Sequence, residues 1–412
     1  MISFMGFSRS DWRLMIVTVV AAAAAGITYY GKIGGTVAPF VVAAIALALL
    51  ASLVGRSVEA LGDRLGAGAT GVVQSALGNL PELFVVLFAL QKKLYDVATA
   101  TIVGSILANV LLVLGLAFLF GGIKNGPQKF GGDTARTLSM LLTLSVAALL
   151  VPSLTAALGS HATKAALHER NLSVVVSILL LCLFVASLPS AIKRQKTGEA
   201  PGTAEAAATS GGVTTGVAAA ASVAAASGSA ASGSAANTAE PGAADAGTAA
   251  EKSEGSSHQP SWPLAVALTM LAVTGVGAAF VSDWFVAALE PAMDSLGISQ
   301  AFAGLVIVAI AGNAVENVVG IQLALKNQSD YALSVILQSP LQIALVVAPA
   351  LVLLSPLVGA SFTLVLSPLL IAVLIMAVVI TVLVVLDGES NWLEGATLMV
   401  LYGIIATAFW WG

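Results

Sequence analysis

The 412-residue sequence predicts an all-α polytopic membrane protein of eleven transmembrane helices with an internal inverted repeat, and three observations carry that prediction. The chain is 58% hydrophobic and only 9% charged, where a soluble domain carries about 25% charged residues. Its apolar runs are long enough to cross about 30 Å of hydrocarbon. One module is also written twice, with a glutamate in each copy inside an apolar run.

The apolar runs fall at roughly 12–30, 36–55, 70–91, 97–121, 136–158 and 171–191, and resume at 262–286, 300–325, 331–354, 360–386 and 391–411. The first, Ile16 to Ile27, follows Arg9 and Arg13 and imitates a signal peptide. Ten further spans follow it, so it reads as a retained first helix. With the N-terminus in the cytosol, twelve basic residues fall inside, Arg56, Lys124 and Lys326 among them. Five fall outside: Lys32, Lys92, Lys93, Lys164 and Arg170. The excess of inside Lys and Arg supports that orientation. Together with the short N-terminus it fits an integral, multi-pass protein of a bacterial plasma (inner) membrane.

The chain then divides into a tail and first helix (1–35), a first repeat (36–191), a linker (192–261) and a second repeat (262–412). The linker is rich in Ala, Ser, Gly and Thr, and between 201 and 250 it has no Leu, Ile, Phe, Trp or Tyr. Such a segment cannot bury enough surface to offset chain entropy, so it reads as a disordered cytosolic tether.

Net charge is −4, which gives no reason to expect a nucleic-acid partner. The single cysteine, Cys182, excludes an internal disulfide and a cysteine-based metal site. His161, His168 and His258 fall in predicted loops and read as solvated side chains. No Ser–His or Cys–His pairing and no metal-binding His motif lies within the helices, so an intramembrane enzyme is disfavoured.

The first copy of the module reads GNLPELFVVLFALQKKLYDVATATIVGS and the second GNAVENVVGIQLALKNQSDYALSVILQS. Asn79 and Asn313 differ by 234, as do Glu82 and Glu316, Lys92 and Lys326, Asp96 and Asp330, and Ser105 and Ser339. The copies use helices three and eight. An offset of five helices reverses direction, and opposite topology of two repeats is a signature of secondary transporters. A carboxylate in mid-bilayer is costly and marks a functional site by default.

Gly78, Pro81 and Gly312 predict breaks in these helices, because glycine permits unusual dihedrals and proline removes a donor. Carbonyl oxygens freed at a break can bind a cation. Val315 stands where the first copy has its proline, so the second break is expected to be milder. Glu82 and Glu316 supply charge; Asn79 and Asn313 add amide oxygens. This hard-oxygen set suits calcium, with its about 6–8 oxygen ligands, and suits zinc or copper poorly. Ser105 and Asn109, one turn apart on the next helix, and Ser339 and Gln342 in the copy either line the site or act as helix–helix contacts. A carboxyl group removed from water favours its protonated form, and a divalent cation reverses that preference. The same two glutamates can therefore hold protons or a metal in turn.

A second repetition relates Glu59 and Asp63 to Glu290 and Asp294, at an offset of 231. These acids are either cation-gathering mouths on opposite faces or ordinary solvated helix ends. Asn391 and Glu394 have capping-box spacing for the last helix.

With these residues in place, the chain resembles the calcium/proton exchangers, the CAX branch of the calcium:cation antiporter superfamily. The likeness covers roughly 36–191 and 262–411 and is carried by GNLPELF at 78–84, GSILANVLLVLG at 104–115, GNAVEN at 312–317, SPLQIAL at 339–345 and DGESNWLEG at 387–395. The resemblance implies two inverted five-helix repeats plus an extra N-terminal helix. It implies alternating access, with calcium moved against protons and no cofactor. It places the essential acids on Glu82 and Glu316 and the polar site residues on Asn79, Asn313, Ser105, Ser339 and Gln342, with Asn109 in the matching stretch. Two departures stand out. Asn317 replaces the family's usual histidine, and Gln338-Ser339-Pro340 replaces a Gly-Ser-Ser stretch. The expected substrates are calcium ions and protons, and the expected surroundings a lipid bilayer. A homo-oligomer is compatible with the sequence. The alternative is a sodium- or potassium-coupled cation exchanger on the same fold, ranked second because a monovalent ion needs less charge than two glutamates supply.

Overall fold

A computed structural model describes residues 7–65, 77–162, 164–196 and 262–411, the side chains of 62–65, 133, 134, 160–162, 188–196, 315 and 316 excepted. The first half contains α1 (Arg9–Gly31), α2 (Val37–Leu65), α3 (Leu80–Gln91), α4 (Tyr95–Leu107), α5 (Leu114–Asn125), α6 (Gly132–Ala162) and α7 (Glu169–Lys196). The second contains α8 (Leu264–Leu296), the short α9 (Gln300–Phe302) and α10 (Ala309–Gly312), then α11 (Ala314–Leu325), α12 (Ser329–Gln342), α13 (Ala348–Leu354), α14 (Pro368–Val385) and α15 (Trp392–Trp410). Segments of π-helix, Ala108–Val113, Ala303–Val308 and Ile343–Val347, join α4 to α5, α9 to α10 and α12 to α13. Strands β1 (Gln128–Lys129) and β2 (Glu389–Ser390) pair antiparallel. The expected 192–261 linker lies outside the described residues except for its first five, which prolong α7.

Contacts at the helix ends sort them into two faces. At the near face, Arg56 of α2 pairs with Asp11 of α1, and Trp262 donates its indole N–H to Asp11 at 3.4 Å. The ends of α5 and α11 meet there too, through Asn125 and Ala324 at 3.0 Å. At the far face, Ser299 N–H reaches the Trp410 carbonyl at 3.2 Å and Ser153 donates to the Leu364 carbonyl at 2.8 Å. The chain thus runs near to far along α3 and far to near along α11, so the two copies of the module have opposite directions. Tyr29, Tyr30 and Trp284 gather at the far end of α1, ring centroids 5.8 and 6.3 Å from the indole, as aromatic side chains do at a membrane interface.

Nine described helices are long and apolar enough to cross a membrane, ten if the bent pair Gln300–Gly312 and Asn317–Leu325 counts as one. The eleventh expected span is represented by the 12-residue α3, because residues 66–76 lie outside the described residues. Two expected boundaries are corrected. The span expected at 262–286 continues as helix to Leu296, through Pro291, and stops where Gly297 turns left-handed at φ 65°. The span expected from 360 starts at Pro368 instead. Gly359 (φ 70°) ends the preceding turn, and the chain is irregular until Ser367 caps the Leu370 N–H.

Lipid gives helices little hydrophobic reason to associate, so close backbone packing holds the bundle together. Small residues provide it. A side chain on Gly104 of α4 would overlap the Leu305 backbone, and one on Gly304 the Val97 carbonyl. Gly115 and Gly395 give α5 and α15 the same approach. The long helices α2 and α8 pack against each other, with Phe40 and Phe285 stacked 4.9 Å apart and Gly277 facing Leu50.

The repeat is visible in the backbone itself. Asn79 has φ −93°, ψ 18° and Asn313 φ −100°, ψ 20°. Lys93 and Asn327, also 234 apart, are both left-handed, at φ 62° and 58°. The π segments after α4 and α12 begin at Ala108 and Ile343, one residue from that offset.

Candidate ion-binding site

Both broken helices place their signature glutamate identically: Glu82 is the third residue of α3 and Glu316 the third of α11. A first-turn position sets a carboxylate at the positive end of the helix dipole. The Glu316 side chain, and with it the expected meeting of the two carboxylates, lies outside the described residues. Glu82 is only 3% exposed.

The pivots of the two breaks match, since Asn313 repeats the dihedrals of Asn79. The chain bends by 62° at the second, whereas the helix before the first, and with it the expected difference in mildness, lies outside the described residues. Pro81 is not required for the pivot dihedrals, which recur at Asn313 without it. It sits in the first turn of α3, where a missing N–H costs no helical bond. Gly78 lies in the turn before it, whereas Gly312 keeps a helical backbone as the last residue of α10. The smallness of Gly312 has another use. A methyl group there would stand 3.7 Å from Cβ, Cγ and Cδ of Glu82, so the second break abuts the first carboxylate.

Around that junction the predicted polar residues meet across the two halves. Ser105 Oγ donates to Glu82 Oε1, and Asn313 Nδ2 approaches the same oxygen at 3.4 Å. Asn313 Oδ1 in turn accepts from Asn109 Nδ2 at 3.2 Å and from Ser339 Oγ at 3.1 Å. Asn79 Nδ2 donates to Gln342 Oε1 at 3.0 Å. The Asn313–Glu82, Asn109–Asn313 and Asn79–Gln342 contacts join the halves, whereas Ser105–Glu82 and Ser339–Asn313 each stay within one. Asn109 also donates to the Ser105 carbonyl at 2.8 Å, which ties it to the last full turn of α4 before the π segment. That segment is where the local helical register widens, a common device at functional sites. On the opposite wall, Pro340 removes one backbone donor directly after Ser339.

Several oxygens in this region are left over. Glu82 Oε2, Asn109 Oδ1 and Asn317 Oδ1 are buried with no hydrogen-bond partner among the described residues. Such groups are costly in a protein interior unless something else satisfies them. Among the described residues no three His, Cys, Asp or Glu side chains converge. The described donors are thus one carboxylate and neutral oxygens.

The acids expected at the mouths lie on helix ends away from the broken segments, as far as they are described. Glu290 and Asp294 are exposed on the last turns of α8, Glu59 is half-buried on α2, and the Asp63 side chain lies outside the described residues. The expected capping box is present: Asn391 accepts the Glu394 N–H at 3.1 Å and Glu394 accepts the Asn391 N–H at 3.1 Å. Sequence reasoning missed Thr381 of α14, whose hydroxyl reaches the Val110 carbonyl of the π segment at 3.3 Å. A lone threonine in an otherwise apolar run was its only signal.

Inverted halves of membrane-crossing helices, each broken at a Gly-Asn-x-x-Glu stretch, define a secondary transporter of the cation-exchanger class. The chain belongs to the sodium/calcium exchanger protein family, whose model matches residues 35–192 and 266–411. It is 31% identical over 371 residues to the Ca(2+)/H(+) antiporter ChaA of Bacillus subtilis, covering 90% of this chain and 91% of that one. It is 30% identical over 375 residues to a Ca(2+)/H(+) antiporter of Synechocystis, with 91% of each chain covered. The fold superposes on the structure of native YfkE with a TM-score of 0.70 at 27% identity, covering 96% of this chain and 99% of that one. It shares the fold of the H+/Ca2+ exchanger CAX at a TM-score of 0.65 and 12% identity, covering 98% and 92% of the two chains. The resemblance drawn from the motifs is thereby borne out.

Proposed function

We infer that this protein is an antiporter that exchanges calcium for protons across a membrane by alternating access, with Glu82 and Glu316 binding either calcium or protons in turn. The observation that carries the reading is Oε2 of Glu82, without a hydrogen-bond partner among the described residues, buried at the seam of two inverted repeats beside amide and hydroxyl groups from both. A calcium ion takes about 6–8 oxygens in flexible geometry. Glu82, Glu316, Asn79, Asn313, Asn109, Ser105, Ser339 and Gln342 are a donor set of that kind. Both carboxylates must be ionised to hold the metal. The same carboxylates, once the metal leaves, take up protons from a site where charge is costly. If only loaded forms cross, exchange is obligatory.

The curated relatives named as Ca(2+)/H(+) antiporters, matched over nine-tenths of their length, support the choice of ions. The near face, richer in lysine and arginine, is assigned to the cytosol of a bacterial plasma membrane. The test is direct. Vesicles containing the purified protein are loaded with a calcium dye and given a pH jump. Calcium flux that follows the proton gradient, ignores sodium and potassium, and disappears in Glu82→Gln and Glu316→Gln supports the reading. Flux driven by sodium or potassium instead assigns the protein to the alternative exchanger, and flux that survives either substitution removes the glutamates from the mechanism.

A further inference from the structure

The π segments after α4 and α12 repeat in their hydrogen bonds as well as in their sequence position. Leu114 N–H bonds to the carbonyls of Asn109 and Leu111 and passes over that of Val110. In the other half, Ala348 N–H bonds to the Ile343 carbonyl and passes over that of Ala344. Leu114 and Ala348, and likewise Val110 and Ala344, keep the offset of 234. A carbonyl passed over in this way is open to a donor from elsewhere.

The first of the two has one. Thr381 Oγ1 of α14 reaches the Val110 carbonyl at 3.3 Å, across the halves, and shares its proton with the Ala377 carbonyl of its own helix at 2.7 Å. Thr381 is 1% exposed. α6 has a hydroxyl at the matching place: Ser145 is the fourteenth residue of α6, as Thr381 is of α14, and it too is buried. The described bond of Ser145 stays within α6, to the Leu141 carbonyl at 2.6 Å.

The two turns also carry different residues. The carbonyl that closes the first π turn belongs to Asn109, and the one that closes the second belongs to Ile343. Turning Ile343 moves no polar group of the site. Asn109 donates to Asn313 Oδ1 at 3.2 Å and to the Ser105 carbonyl at 2.8 Å. One residue of helix corresponds to about 100° of rotation. Moving the passed-over carbonyl by one position would therefore swing the Asn109 amide away from Asn313. A donor at Val110 stabilises only the register in which that carbonyl is the one passed over.

We propose that Thr381 is a positioning residue for ion binding: its hydroxyl holds the π turn at Val110 and so keeps the Asn109 amide aimed at Asn313, beside Glu82. This rests on the exchange reading of the central site. Thr381 acts through Asn109 and makes no contact with the ion.

Thr381→Val keeps the shape and removes the hydroxyl, Thr381→Ser puts a hydroxyl back, and Ser145→Ala removes the matching hydroxyl of the other half. Calcium half-saturation and maximal rate are measured separately in vesicles, and Thr381→Val is repeated in an Asn109→Ala background. Thr381→Val is expected to raise half-saturation by about three- to tenfold while the maximal rate stays within about twofold. Thr381→Ser and Ser145→Ala should stay within about twofold of wild type in both. In the Asn109→Ala background, Thr381→Val should add less than about twofold, because residues that act through one another are not additive. Full additivity, an equal loss in Ser145→Ala, a loss confined to the maximal rate, or no loss in Thr381→Val overturns the proposal. If Thr381→Val fails to fold, Thr381→Ala takes its place. The side-chain amide resonances of Asn109 give a separate readout: Thr381→Val should shift them and Ser145→Ala leave them in place, and any other pattern overturns the proposal. Wild-type vesicles without calcium flux sink the exchange reading, and these resonances still judge the link from Thr381 to Asn109.

Discussion

Asn313 stands between the halves as a two-sided bridge to Glu82: its amide nitrogen approaches the Glu82 carboxylate at 3.4 Å while its amide oxygen accepts from Asn109 and Ser339. An amide is suited to this because it donates and accepts at once. The carboxylate of one repeat is thus oriented by the asparagine of the other.

Replacing Glu82 by Gln should abolish calcium exchange without unfolding the protein, because the shape is kept and only the charge is lost. Removing one charged partner from a buried site costs about 3 kcal/mol, roughly a hundredfold in affinity. Calcium binding by isothermal titration and vesicle flux check it. Glu82→Asp, which keeps the charge on a shorter arm, should retain part of the activity.

Asn313→Asp and Asn313→Leu should separate the bridge from simple packing. The aspartate keeps the acceptor for Asn109 and Ser339 but loses the donor to Glu82 and adds like charge beside it. The leucine loses both. Both should weaken calcium binding by about tenfold, the scale of a hydrogen bond to a charged group. Calcium titrations with a thermal-stability control check it, and unchanged affinity in either variant removes the bridge from the site.

Calcium affinity should fall as pH falls. A carboxylate must give up its proton before it can bind metal, so acid favours the competing ligand. Where a glutamate is mostly protonated, each unit of pH should cost up to about tenfold in affinity for every proton displaced. Half-saturation measured over several pH values gives the slope, and a flat profile would show that metal and proton do not share ligands.

Gly104→Ala should destabilise the fold before it touches the chemistry. The added methyl has to displace the Leu305 backbone, and overpacking of this kind costs about 1–3 kcal/mol. A fall in thermal midpoint in detergent checks it, with Gly275→Ala, where a side chain meets open space, as the neutral comparison.

Lys93→Gly should raise stability, and by more than Asn327→Gly. Both residues occupy the left-handed region, which costs an ordinary L-residue about 1–2 kcal/mol and asparagine less. Thermal midpoints of the two variants give the order.

Much of this was legible in the sequence because the repeat constrains it twice. A gap-free offset of 234 from Asn79 to Ser105 pairs residues that no local pattern would associate, and the described contacts use members of those pairs. Composition pointed to the membrane helices, and the helix count to the inversion. Other features had no local signature. Glu290, Pro291 and Asp294 look like a loop, yet α8 runs through them until Gly297 stops it. Residues 360–366 look like a helix because apolarity alone does not separate helical from irregular chain. Pro81 marked the place of the first turn but is not needed for its pivot, whose dihedrals at Asn79 recur at Asn313 without proline. Gln128 Nε2 donates to the Ala324 carbonyl at 2.9 Å across 196 residues, in space that a side chain on Gly121 would fill, so spacing could not reveal that contact.

The ion pair between Arg56 and Asp11 has a practical corollary for anyone trimming this transporter to its duplicated core. Arg56 is buried in α2, and the described partners of its guanidinium, Asp11 and Ser10, both come from the extra helix. Deleting that helix would remove the described partners of this cation and leave it beside lipid or headgroups instead. A version shortened to the two repeats therefore needs Arg56 exchanged for an uncharged side chain in the same step.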